Sequence, residues 1–170
     1  MKIPARVAPL VPAFLLIALA TAWAFERPEI HFDKRTWKVG HQSSKGDQTM
    51  VEFVLENESV GNWSELVTTQ LFAGLQEKMS VAEYVAAMHK SIGERCPKVK
   101  WNTIRSGDTD AVYEWSVSAC SGVADQSEIA RVFKGLEGIH IVHYAMRKPD
   151  MPAASRKEWL GLLERARLLI

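Results

Sequence analysis

The side chains with the most chemical reach in this chain of 170 residues are two cysteines, Cys96 and Cys120, and five histidines. Cys96, in "IGERCPKVKW", admits three chemistries: a nucleophile, a metal ligand or half of a disulfide. A catalytic thiolate needs a neighbouring base and no thiol partner. Zinc needs further ligands at short spacings, and a redox pair would read C-x-x-C; the sequence contains neither pattern. A disulfide between Cys96 and Cys120 is the remaining reading.

The histidines invite a metal site, and His140 and His143 in "GIHIVHYA" resemble an H-x-x-H pair. In a strand an odd separation sends two side chains to opposite faces, so the pair cannot chelate one ion. His31, His41 and His89 are scattered, with no carboxylate beside them at ligand spacing. No metal and no cofactor is expected. No G-x-S-x-G elbow exposes a serine, and no glycine-rich phosphate loop is present. Ser121, beside Gly122 and Asp125 in "SACSGVADQS", belongs to a polar loop in which such residues serve turn geometry. No catalytic residue is therefore assigned. Trp63, after "ESVGN", stands in a loop-like setting where it could contact a ligand or partner. The other tryptophans of the mature domain, Trp37, Trp101, Trp115 and Trp159, are assigned to the core or its rim.

The first residues say where these groups would operate. Lys2 and Arg6 precede the apolar run "VAPLVPAFLLIALA", and "TAWAFE" follows with Ala22 and Ala24 at the spacing of a cleavage site. This is the layout of a secretory signal peptide, residues 1–24, removed to leave one domain from 25 to 170. The run carries Pro9 and Pro12 and is short for a bilayer span, so no stable membrane span is expected after cleavage. Export means a periplasmic or secreted location and oxidising conditions, in which paired cysteines persist as disulfides. The whole chain has a formal charge of +1. A near-neutral domain lacks the basic excess of a general nucleic-acid binder.

The elements that must position these groups follow from periodicity. "TWKVGHQ" and "QTMVEFVLE" around "SSKGD" read as a hairpin, with Val51, Phe53 and Leu55 on the apolar face and Val54 on the mixed one. Glu65 to Phe72 is ambiguous. A possible Asn62–Glu65 capping box argues for helix, while density in Val and Thr favours the strand assigned here. Ser80 and Glu83 form a capping box for a helix whose stripe is Val81, Tyr84, Val85, Met88 and Ile92, stopped by Gly93 and Pro97. "VKWNTIR" and "AVYEWSVSAC" pair around Gly107, which brings the start of one beside the end of the other, and Cys96 beside Cys120. "SEIARVFKG" and "GIHIVHYAMRK" form another hairpin. Ser155 and Glu158 suggest a capping box for a closing helix with Trp159, Leu162, Leu163, Ala166 and Leu169 on its apolar stripe, and Arg156, Lys157, Arg165 and Arg167 on its basic face.

The fold class expected is α+β: an antiparallel sheet of about six to seven strands flanked by two amphipathic helices. The leader, "NWSELVTTQ", the "CP" at Cys96 and Pro97 and "DQSEIARVFKGLEGIHIVHYA" resemble small exported proteins of Gram-negative bacteria with a PsbP-like fold. That resemblance implies a noncatalytic binder. No functional residue carries over from it. The expected function is a binding or accessory protein of the cell envelope, a monomer meeting an unidentified protein or small-molecule partner. The alternative is a small hydrolase or a lipid- or ligand-handling protein with a pocket between sheet and helices.

Overall fold

The computed structural model describes residues 26–120 and 122–169. The leader expected over residues 1–24, and Ser121, lie outside the described residues.

Twelve elements follow in chain order: β1 (Arg27–Glu29), β2 (Trp37–Lys45), β3 (Gln48–Leu55), β4 (Glu65–Ala73), a 3-10 turn (Leu75–Glu77), α1 (Val81–Arg95), β5 (Lys100–Arg105), β6 (Asp110–Val117), β7 (Gln126–Lys134), β8 (Gly138–Met146), α2 (Ala153–Arg165) and β9 (Arg167–Leu169). The α+β class is borne out. β2-β3-β4-β8-β7-β6-β5 form a seven-stranded sheet in which every neighbouring pair is antiparallel. Glu65 to Phe72 is strand, as its branched side chains suggest. β4 pairs with β8 along its full length, Val67 opposite Tyr144, and this joins the two runs of hairpins into one sheet. Among the described residues no helix is long and apolar enough to cross a membrane.

Strand alternation gives the sheet two buried faces. Ala111, Tyr113, Trp115 and Val117 of β6 meet Val81, Tyr84, Val85 and Ile92 of α1 on one face. Val112, Ile129 and Tyr144 meet Trp159, Leu162 and Leu163 of α2 on the other. The α1 capping box forms in full: the Glu83 amide donates to Ser80 Oγ, and the Glu83 carboxylate accepts from the Ser80 amide.

Several details depart from the sequence reading. Gly93 does not stop α1, which runs to Arg95 with Cys96 as its cap. Val54, assigned to the mixed face, is fully buried, because Val60 from the β3–β4 loop folds over the same spot beside Gly40. The closing helix starts at Ala153, with Pro152 before it and no side-chain cap, so Ser155 and Glu158 sit inside its first turns. It ends at Arg165, and Leu169 lies on β9, which pairs with β1. Nη1 of Arg131 supplies the reason, donating to the carbonyls of Leu163, Glu164 and Ala166 at 2.9, 2.7 and 2.9 Å. These are the orphan acceptors that a helix end leaves. The expected basic face is broken up as well: Arg156 pairs with Glu114 and Arg167 with Glu29.

Both free edges of the sheet resist pairing. β2 is bulged between Val39 and His41 and carries Lys38 and Lys45; β5 is bulged between Thr103 and Arg105 and carries Lys100. Bulges and cations are the usual means of blocking edge-to-edge association.

Candidate functional site

The best-formed polar concavity lies on the α2 face, where the ends of β5, β6 and β7 run under the start of α2. The register there stacks two polar rows. Lys100 is opposite Ser116, which is opposite Ser127; one step along, Asn102 is opposite Glu114, which is opposite Ile129. Pro149, Asp150, Met151 and Arg156, from the β8–α2 connection and α2, form the wall of a cleft of about 250 Å³.

Inside the cleft Glu114 is the hub. Its carboxylate accepts from Arg156 Nε and Nη2 at 2.6 and 2.8 Å and from Asn102 Nδ2 at 2.8 Å. The Arg156 guanidinium, helped by Asn102 and opposed by partial burial, holds the Glu114 carboxyl below its ordinary range. Lys100 and Asp150 stand 3.5 Å apart at the rim. Ser127 differs from these: it is 4% exposed, and its hydroxyl has no hydrogen-bond partner among the described residues. A buried hydroxyl left unpaired costs about 1–3 kcal/mol.

The two histidines of the H-x-x-H run do lie on opposite faces. His140, on the α2 face, is fully buried, with Nε2 3.2 Å from the Glu26 carboxylate. His143, on the α1 face, has Nδ1 3.0 Å from Glu128 and Nε2 3.2 Å from Gln70. Trp115 Nε1 donates to the same Glu128 oxygen at 3.1 Å. Sequence spacing does not show these partners: Glu26 lies far back in the chain, just before β1, and Glu128 is on β7, one hairpin strand over from His143. His89 stacks on Trp101, which stacks on Tyr113, with ring centroids 4.6 and 4.7 Å apart. Among the described residues no group of three His, Cys, Asp or Glu side chains could hold a metal ion.

Cys96 and Cys120 are joined, with Cα atoms 5.5 Å apart. The bridge borders a second cleft of about 290 Å³, lined also by Arg95, Pro97, Lys98 and Val117. Trp63 lies in the loop between β3 and β4 with the Arg147 guanidinium 4.7 Å over its ring, and it lines neither cleft. Sequence spacing does not single out Ser116, Ser127 or Glu114, and it places Arg156 only on a basic helix face. A signal was present: Glu114 and Ser116 alternate with the apolar stripe of β6, which places polar groups on the face that α2 covers.

A comparison with protein families matches residues 25–168, nearly the whole described chain. The chain belongs to an uncharacterised protein family. No curated protein and no solved structure matches it. The family membership assigns no chemistry.

Proposed function

We propose that this chain is an exported binding or accessory protein without catalytic activity, working in the periplasm or outside the cell, and that its ligand contacts lie in the α2-face cleft. The observation that carries the reading is the Ser127 hydroxyl, buried in the floor of that cleft with its hydrogen-bonding capacity unspent. Proteins rarely leave such a group unpaired, and a bound molecule would complete it.

Several features favour binding over catalysis. A serine nucleophile must touch a base that takes its proton, and among the described residues the Ser127 hydroxyl touches none. His140 is sealed against Glu26, and both ring nitrogens of His143 are engaged. The bulged, cationic edges argue against a peptide added as an extra strand. The disulfide is in keeping with an oxidising compartment. The resemblance to exported PsbP-like proteins points the same way, toward a noncatalytic role.

Native mass spectrometry of the protein taken from its host's periplasm without reduction tests the reading. The expected species is a monomer beginning at Phe25, two protons lighter for the bridge, with a ligand mass retained. A full-length chain in the cytosol, or a bound species converted to product and lost on Ser127→Ala, would overturn it.

A further inference from the structure

We propose that the α2-face cleft takes a neutral, polyhydroxylated ligand of the saccharide class; this deepens the binding reading above and rests on it.

Charge comes first. Every ionised group that faces the cleft is matched inside it: Lys100 by Asp150 and Arg156 by Glu114. Glu128 also borders the cleft, but its carboxylate turns to the other face of the sheet and is held by His143 and Trp115. A site for a phosphate or carboxylate presents cations whose partners are missing. With each cation already facing a carboxylate, the cleft favours a neutral ligand over an anion.

Hydrogen-bonding capacity in the cleft is in excess. Ser116 and Ser127 stand directly opposite one another across β6 and β7, and the Ser127 hydroxyl is unpartnered. In the adjoining row, Asn102 Oδ1 and Arg156 Nη1 make no hydrogen bond among the described residues, although their neighbouring nitrogens are bound to Glu114. A hydroxyl both donates and accepts, so its complement is a group of the same kind. Neighbouring strands are about 4.8 Å apart, and two such rows make a grid on the scale of one sugar ring. The carbon face of a sugar also needs apolar wall, which Ile129, Pro149 and Met151 provide. At about 250 Å³ the cleft lies just below the roughly 300–1,000 Å³ range of ligand pockets, a size suited to one terminal unit of a longer chain.

Titration of ¹⁵N-labelled mature protein with maltotriose, chitotriose and inorganic phosphate, in separate experiments followed by amide shifts, tests the assignment. The expected result is saturable movement of the Ser116, Ser127 and Asn102 amides with at least one saccharide and none with phosphate. Ser127→Val should weaken that binding at least tenfold. Asn102→Ala, on the exposed edge strand, should weaken it several-fold without disturbing the fold. Phosphate binding at these amides, or no movement with either saccharide at concentrations that saturate a millimolar site, overturns the saccharide class. In that event a different mass retained in the native spectrum would leave the binding reading standing, whereas turnover of the bound species would remove both.

Discussion

The Glu26 carboxylate lies 3.2 Å from Nε2 of His140, in a socket completed by the Glu137 amide, which donates to it at 3.1 Å. Burial alone would raise the Glu26 carboxyl, but the Glu137 and Leu136 amides and His140 outweigh it and hold the group below its ordinary value. Burial lowers His140, and the attraction of Glu26 restores only part of the loss. Both groups therefore bind protons less readily folded than unfolded. Between the folded pKa of His140 and the unfolded value of about 6.5, the unfolded chain holds more protons, so stability climbs with pH there. The contribution is complete above about pH 6.5 and is lost as pH falls; Glu26 adds a further loss below about pH 4.3. Denaturant titrations from pH 8 to 4 should show stability declining from near 6.5. His140→Gln, which keeps a donor for Glu26, should flatten the upper part of that decline. An unchanged slope would show that other histidines govern it.

Gly135 makes the socket possible. A Cβ at this position would stand 2.0 Å from Glu26 Oε2, with the carboxylate's other atoms also inside 3 Å. Gly135→Ala should expel the carboxylate and leave His140 buried without a partner. A loss of about 2–4 kcal/mol is expected from breaking a buried charge-assisted contact. Thermal unfolding checks it, with Gly161→Ala on α2 as the control, where a Cβ meets nothing within 4 Å.

The layered architecture was legible in the sequence because each long element carries its own signal: the Ser80–Glu83 box, the stripe of α1, the alternation of β6. The Cys96–Cys120 bridge was legible for the same reason, being fixed by the register of one local hairpin. What escaped depends on partners far apart in the chain. Arg131 reads as an ordinary polar residue in a strand until α2 brings its last carbonyls above it. Leu169 fits a helical stripe, yet β1 offers it a strand to pair with. Ser127 gives no local hint that no neighbour will reach its hydroxyl.

The bridge should matter thermodynamically. It closes a loop with a sequence separation of 24, for which restriction of the unfolded chain amounts to roughly 3 kcal/mol. Reduction, or the double substitution Cys96→Ser with Cys120→Ser, should lower Tm by roughly 10 °C in a domain of this size. Thiol labelling of the unfolded, unreduced protein should modify neither cysteine. Stoichiometric labelling of both would show that the bond does not form.

Arg131 is expected to hold the end of α2 and the β1–β9 ribbon together. It is largely buried, donates to three carbonyls through Nη1 and binds Asp110 through Nε and Nη2 at 3.0 and 2.6 Å. Arg131→Met should cost about 1–3 kcal/mol, since it leaves part-buried acceptors without their donor. Arg131→Lys should recover less than half, because an ammonium cannot reproduce the fork of a guanidinium. Hydrogen exchange should show early loss of protection at Ala166 and along β9, while the β6–β7 amides remain protected.

Ser127→Ala should do the opposite of most core substitutions. It removes a hydroxyl that is buried without a partner among the described residues, leaving a cavity of about one oxygen atom, and none of those residues loses a hydrogen bond. The empty protein should gain about 1 kcal/mol, a rise of roughly 3 °C in Tm. A group that destabilises the fold and faces a cleft fits a ligand-binding role better than a structural one. Equilibrium denaturation of the ligand-free protein decides the matter. A loss of stability instead would mean that the hydroxyl is already satisfied, most simply by an ordered water, and that the cleft has no unspent group to offer a ligand.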